Sequence, residues 1–115
     1  MKIVRKREAL GEKRSDGRTV RKLLEHSFQK PVDSIAVYLC DVPGSQFGKH
    51  YHAKSEEFII FPVGGKITVN GKDYNMEPWD LVVLMPGDVH SYERKDRDII
   101  HLAVRCPDID DKKIE

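Results

Sequence analysis

The sequence holds no apolar run near the roughly 20 residues needed to span a bilayer. Its longest, from Leu81 to Pro86, is the size of a strand. The basic start MKIVRKREALGEKR lacks the apolar stretch and small-residue cleavage site of a secretory leader. These absences predict a cytoplasmic protein with no membrane association. Cysteine is scarce: Cys40 and Cys106 stand alone, their separation fits neither a zinc knuckle nor a CxxC pair, and both sit in or beside apolar runs. Buried thiols are therefore expected rather than a disulfide or a nucleophile. No GxSxG elbow, P-loop or GxGxxG signature occurs, so the chemistries those motifs serve have no support here. There is no internal repeat, no low-complexity stretch and no convincing helix.

What is present is a chain of 115 residues, 39% hydrophobic and 34% charged, which suits one soluble domain with a single modest core. The net charge of +1 conceals an asymmetry. Residues 1–30 carry ten Lys/Arg against four Asp/Glu, and the remaining 85 carry ten against fifteen. A basic arm of this kind can touch nucleic acid. No aromatic residue interleaves with its charges before Phe28, so a solvated terminus is expected and nucleic-acid binding is not. The chain divides into a basic segment at 1–17, a β body at 18–107 and a polar, exposed tail at 108–115.

Short strands account for the body. One is possible at Ile3 and Val4. In RTVRKLLEHSF, residues 18–28, the apolar Val20, Leu23 and Leu24 fit a helix face as well as a strand, and the surrounding strand pattern favours a strand. Ser34 to Val42 is apolar on both alternating faces, which predicts cover on both sides. Glu57 to Val63 puts Glu57, Ile59 and Phe61 on one face and Phe58 and Ile60 on the other. Strands at Lys66–Val69 and Asp73–Met76 flank Asn70-Gly71, the strongest hairpin signal in the chain. Leu81–Met85, His90–Glu93 and Asp98–Arg105 complete the set. Roughly seven to nine short strands separated by turn signals describe an antiparallel sandwich or barrel.

One stretch, GSQFGKHYHAKSEEFIIFPVG at residues 44–64, concentrates ligand-type side chains. Residues i and i+2 of a strand point the same way, about 6.5 to 7 Å apart, so His50 and His52 can reach one ion. Imidazole suits zinc, copper, nickel and iron, and a carboxylate adds a hard oxygen and offsets charge. Glu57 follows across a short loop. His90, after the turn Pro86-Gly87, can project from the rim inward and complete a set of four. On the same strand face Tyr92 points inward too, where its hydroxyl could orient a substrate or simply fill the barrel. Ile59 and Phe61 would supply apolar walls, while Lys49 and Tyr51 face away. Tyr38 and Trp79 read as core or interface residues, and His26 and His101 as isolated non-ligands.

These residues resemble the cupin superfamily, whose first motif is written G(X)5HXH(X)3-4E(X)6G. Gly44, His50, His52, Glu57 and Gly64 match it without a gap, and only Glu57, not Glu56, keeps the distance to Gly64. The second motif, G(X)5PXG(X)2H(X)3N, is met in part: Gly87 and His90 fit, Trp79 stands at its first glycine, Met85 at its proline and Arg94 at its asparagine. Trp79 suggests a turn of different shape there. The resemblance covers about residues 35–107. It implies a double-stranded β-helix, a small jelly-roll barrel, holding a divalent metal (Zn, Fe, Mn or Ni) on His50, His52, His90 and Glu57.

The activity expected on that resemblance is that of a metal-dependent enzyme acting on a small polar metabolite, of isomerase/epimerase, lyase or dioxygenase type. The alternative is a non-catalytic module that binds or senses a small ligand. Acid-base candidates outside the ligand set are Tyr92, Glu56 and Asp41. A homodimer is expected, with the region from Val20 to Val42 in its interface.

Overall fold

A computed structural model of the chain describes residues 1–42, 48–92 and 99–114. Among the described residues twelve strands run in the order β1 (Lys2–Val4), β2 (Gly11–Lys13), β3 (Thr19–Arg21), β4 (Ala36–Val42), β5 (His50–His52), β6 (Glu56–Phe61), β7 (Gly65–Val69), β8 (Lys72–Met76), β9 (Asp80–Leu84), β10 (His90–Tyr92), β11 (Ile99–Cys106) and β12 (Lys112–Ile114). One 3-10 turn, Lys6–Glu8, is the sole helical element among the described residues. Two five-stranded antiparallel sheets, β1-β9-β6-β11-β4 and β12-β5-β10-β7-β8, form the barrel, and β2 pairs with β3 as a separate ribbon.

The core lies between the two sheets because alternate residues of each point inward. Ile59, Phe61, Val82, Leu84 and Ala103 come from one sheet, and Ile67, Val69, Met76 and Tyr92 from the other. Burying each of the larger aliphatic or aromatic side chains contributes about 1.5 to 3 kcal/mol. The inward face of β6 is the one expected, with Glu57, Ile59 and Phe61 at 3%, 1% and 0% exposure.

Turns fix the strand ends. Asn70 and Gly71, at φ 50° and 80°, form the tight β7–β8 hairpin. Asn70 also ties this hairpin to the turn before β10: its Oδ1 accepts Val89 N–H at 2.9 Å and its Nδ2 donates to Asp88. Gly64 sits at φ 77°, where an added Cβ would stand 2.7 Å from the Met76 carbonyl oxygen. Its place in the first motif is therefore a matter of space as well as conformation. Trp79 adopts φ 70°, a left-handed conformation that glycine enters freely. The turn keeps a glycine-like shape even though tryptophan occupies it, contrary to the altered turn expected there.

Three further expectations change. The strand sought over residues 18–28 exists only at Thr19–Arg21. Beyond it the chain is held by side chains, with His26 edge-on to Phe58 at 5.1 Å and Phe28 tilted against it at 6.2 Å between ring centroids. The β4 strand is not covered on both sides: it is a sheet edge, and Val37 and Leu39 are 65% and 68% exposed because nothing among the described residues lies over them. Finally, residues near both ends pair with the body. The β1 strand lies along β9, and β12 lies along β5, with Asp111 buried. The basic segment is also ion-paired to the body, through Arg5–Asp80 at 2.8 Å and Arg7–Glu77 at 2.9 Å.

Candidate metal centre

His50 and His90 are direct cross-strand partners on β5 and β10, and their ring centroids are 4.2 Å apart. His52 lies one pleat further along β5. All three rings are buried, and one nitrogen from each falls within 4.8 Å of the others. Glu57 approaches from the opposite sheet, with Oε2 3.6 Å from His52 Nε2 and Oε1 3.5 Å from His90 Nε2. The structure thus brings together the four residues singled out in the sequence.

Hydrogen bonds on the outer side of each ring set the tautomers. His50 Nδ1 meets the Gly48 carbonyl at 3.1 Å, His90 Nδ1 meets the Asp88 carbonyl at 3.1 Å, and His52 Nδ1 meets Asp111 Oδ1 at 3.0 Å. A carbonyl or carboxylate oxygen only accepts, so each Nδ1 carries a hydrogen and each Nε2 is the nitrogen turned inward, the one that offers a lone pair when the ring is neutral. His52 Nε2 and His90 Nε2 have no hydrogen-bond partner among the described residues. Burial pushes the His90 imidazole down to about 3, and neighbouring His50 adds to this. Burial lowers His50 too. Three inward imidazole nitrogens and a nearby carboxylate are the donor set a borderline transition metal takes. The separations of 3.5 and 3.6 Å are too long for good hydrogen bonds and suit atoms flanking a common ion.

Two contributors have no motif. Arg105, directly across from Glu57 on β11, donates from Nε and Nη2 to Glu57 Oε2 at 3.2 Å each. Its guanidinium also lies 5.0 Å from the Tyr38 ring centroid. Asp111 accepts from Lys54 N–H and Ser55 N–H on Oδ2, both at 2.8 Å, while Oδ1 holds His52. Burial opposes ionisation of Asp111, but these hydrogen bonds outweigh it and keep its carboxyl below the usual range. The sequence separations of these two residues from Glu57 and His52 are 48 and 59, so only the barrel topology could reveal them.

Tyr92 sits in the core with its ring stacked on His101 at 4.5 Å and edge-on to His90 at 6.2 Å. Burial, reinforced by the Glu57 charge, raises its phenol well above the ordinary range, so it stays protonated. His101, expected to be an isolated non-ligand, is 3% exposed beneath Tyr92, and burial lowers it to about 4. Its Nδ1 has no partner among the described residues. His26 is not isolated either: its Nε2 contacts Glu56 Oε1 at 2.9 Å, and Gln29 N–H donates to the other oxygen. Glu56 therefore points away from the histidine cluster. Gly44, Arg94 and the Asp41 side chain lie outside the described residues.

No protein-family model matches the sequence, and no curated protein matches it by sequence. Solved structures do match its shape. A double-stranded β-helix protein from Klebsiella pneumoniae shares 17% identity over 75% of this chain and 78% of its own, with a TM-score of 0.62. A DMSP lyase from Ruegeria pomeroyi shares 22% over 71% of this chain, at TM-score 0.61. A sugar phosphate isomerase of the cupin superfamily from Silicibacter pomeroyi shares 21% over 64%, at TM-score 0.55. The fold is that of the cupins. The chain spans 43% of the length of the lyase and 51% of the isomerase.

Proposed function

We propose that His50, His52, His90 and Glu57 hold a divalent transition metal, zinc, iron, manganese or nickel, and that the protein is a metal-dependent enzyme acting on a small polar metabolite. Isomerase/epimerase, lyase and dioxygenase chemistries are the classes the site suits. One observation carries the reading: two buried ring nitrogens, His52 Nε2 and His90 Nε2, lack partners among the described residues while their outer nitrogens are fixed. Such atoms cost about 1 to 3 kcal/mol each unless something fills the space between them.

Held by these residues, a metal would supply Lewis-acid chemistry towards a carbonyl or hydroxyl, and iron would supply oxygen chemistry. The chain supplies the rest. Glu57 offsets cationic charge, and Arg105 fixes the orientation of its carboxylate. Ile59 and Phe61 keep water from the inner wall. Tyr92, held as a neutral phenol beside His90, offers a hydrogen bond to a bound substrate. The lyase and isomerase among the structural neighbours support the reaction classes, and their own substrates remain theirs.

Elemental analysis of protein purified without added metal tests the reading. About one equivalent per chain is expected, falling on His52→Ala. Substoichiometric metal together with unchanged thermal stability in chelator would overturn it.

A non-catalytic ligand-binding or sensing module is favoured by one observation: Glu56 is engaged by His26 and Gln29, which removes an acid-base candidate from the site. Ligand binding without turnover would select it. A homodimer formed through β4 and its flanking residues is supported by the exposure of Ile35, Val37 and Leu39 at 64%, 65% and 68%.

A further inference from the structure

The segment from Pro107 to Ile114 reaches the histidine cluster without contributing a motif to it. It is held almost wholly by polar contacts. Ser55 Oγ donates to the Pro107 carbonyl at 2.8 Å, Asp108 N–H donates to Ser34 Oγ at 3.0 Å, and Ala53 N–H donates to the Asp111 carbonyl at 3.1 Å. Lys112, Lys113 and Ile114 are exposed, although β12 runs beside both ligand-type histidines with Lys112 opposite His52 and Ile114 opposite His50. Ile109 and Ile114 are 37% and 74% exposed, so little apolar burial secures the segment. Its principal buried anchor is Asp111, and one of that carboxylate's oxygens is committed to His52 Nδ1.

We propose that this segment is a metal-linked clasp, in which Asp111 docks the segment on β5 and at the same time presents His52 Nε2 to the ion. The inference rests on the metal site proposed above and adds its coupling to a specific piece of the chain. An ion on Nε2 draws electron density from the ring and makes Nδ1–H a better donor, so the bond to Asp111 strengthens when the site is loaded. The coupling is reciprocal. Whatever factor the ion contributes to docking of the segment, docking contributes to ion affinity. Asparagine cannot replace Asp111, since an amide that accepts from His52 turns its NH2 towards the Lys54 and Ser55 donors.

The test uses the full chain with zinc as the probe. Zinc affinity is measured by chelator competition, and the clasp by trypsin cleavage after Lys112 and Lys113 and by hydrogen exchange of residues 112–114. In the native protein zinc is expected to slow cleavage and exchange at least about 10-fold. Asp111→Asn is expected to weaken zinc about 10- to 100-fold and to abolish the zinc effect on cleavage. Nitrogen NMR of His52 should show loss of the single Nδ1–H tautomer in that variant, even without zinc. Lys113→Pro, which interrupts β12 without altering any side chain of the site, provides a second route if Asp111→Asn fails to fold, and it too should weaken zinc. Tight zinc binding unchanged in the folded variants, with cleavage of the native protein indifferent to zinc, would overturn the clasp and leave the metal site standing. Absence of zinc uptake by the native protein would overturn the metal site, and the coupling with it.

Discussion

Arg105 and Glu57 face each other across β11 and β6, and both donor nitrogens of the guanidinium converge on the same carboxylate oxygen. The other oxygen is left towards His90. A buried carboxylate stripped of its cation costs about 3 to 5 kcal/mol. Arg105→Met is therefore expected to destabilise the metal-free protein by about 3 kcal/mol. Because an ion then becomes the main counter-charge for Glu57, added zinc should raise the melting temperature of the variant more than that of the native protein. Chelated and zinc-loaded melting curves of both proteins check this, and an equal zinc-induced rise would remove Glu57 from the ligand set.

Asp80 gives the fold a defined acid sensitivity. It is fully buried, with Arg5 at 2.8 Å and the N–H groups of Lys6 and Glu77 at 2.9 and 2.8 Å. Burial alone would raise the carboxyl, but these partners outweigh it and hold it below the ordinary range. An unfolded aspartate titrates near about 3.9. Since the folded value lies below that, the contribution is complete well above this pH and is lost as pH falls through the folded value. Asp80→Asn should cost about 3 kcal/mol at neutral pH, and the difference from the native protein should shrink in acid. Urea unfolding across the acid range measures it.

Gly64 and Trp79 make a matched pair of tests, because both occupy the left-handed region. Gly64→Ala meets the Met76 carbonyl oxygen as well as the backbone penalty and should lose about 2 kcal/mol or more. Trp79 is half exposed, so Trp79→Gly releases strain of about 1 kcal/mol while giving up only partial packing. Its stability should stay within about 1 kcal/mol of the native protein. Thermal denaturation of the two variants separates the steric effect from the conformational one.

Leu39 tests the assembly. On the exposed face of β4 a charge meets only solvent in a single chain, so Leu39→Asp should fold with near-native stability. In a dimer it would be buried against apolar surface, so the variant should run as a monomer at micromolar concentration. Light scattering of both proteins decides, and a monomeric mass for the native chain would refute the dimer.

Local spacing made much of this legible. Period-2 geometry places His50 beside His52 and puts Glu57 with Ile59 and Phe61, and Asn70-Gly71 announces its own hairpin. The resemblance to the cupin motif implies Glu57 rather than Glu56, through the distance to Gly64, and the structure turns Glu56 outward to His26. What spacing could not convey was which remote polar residue closes each hydrogen bond. Asp111 lies in a stretch whose charge reads as solvated tail, and Arg105 sits in an ordinary apolar strand. Hydropathy misleads at β4 for a related reason: an apolar strand face reads as covered, and nothing among the described residues covers this one.

The β1 strand along β9 has a consequence for how copies can join. It closes one edge of its sheet with three residues led by a lysine, a poor template for further pairing. The opposite edge, β4, is seven residues long and apolar. A sheet with one blunted edge and one receptive edge can be satisfied by a single two-fold partner, after which no receptive edge is left to recruit a third. Edge pairing through this sheet would thus end with one two-fold partner on β4, leaving β12 and β8 as the edges of the other sheet.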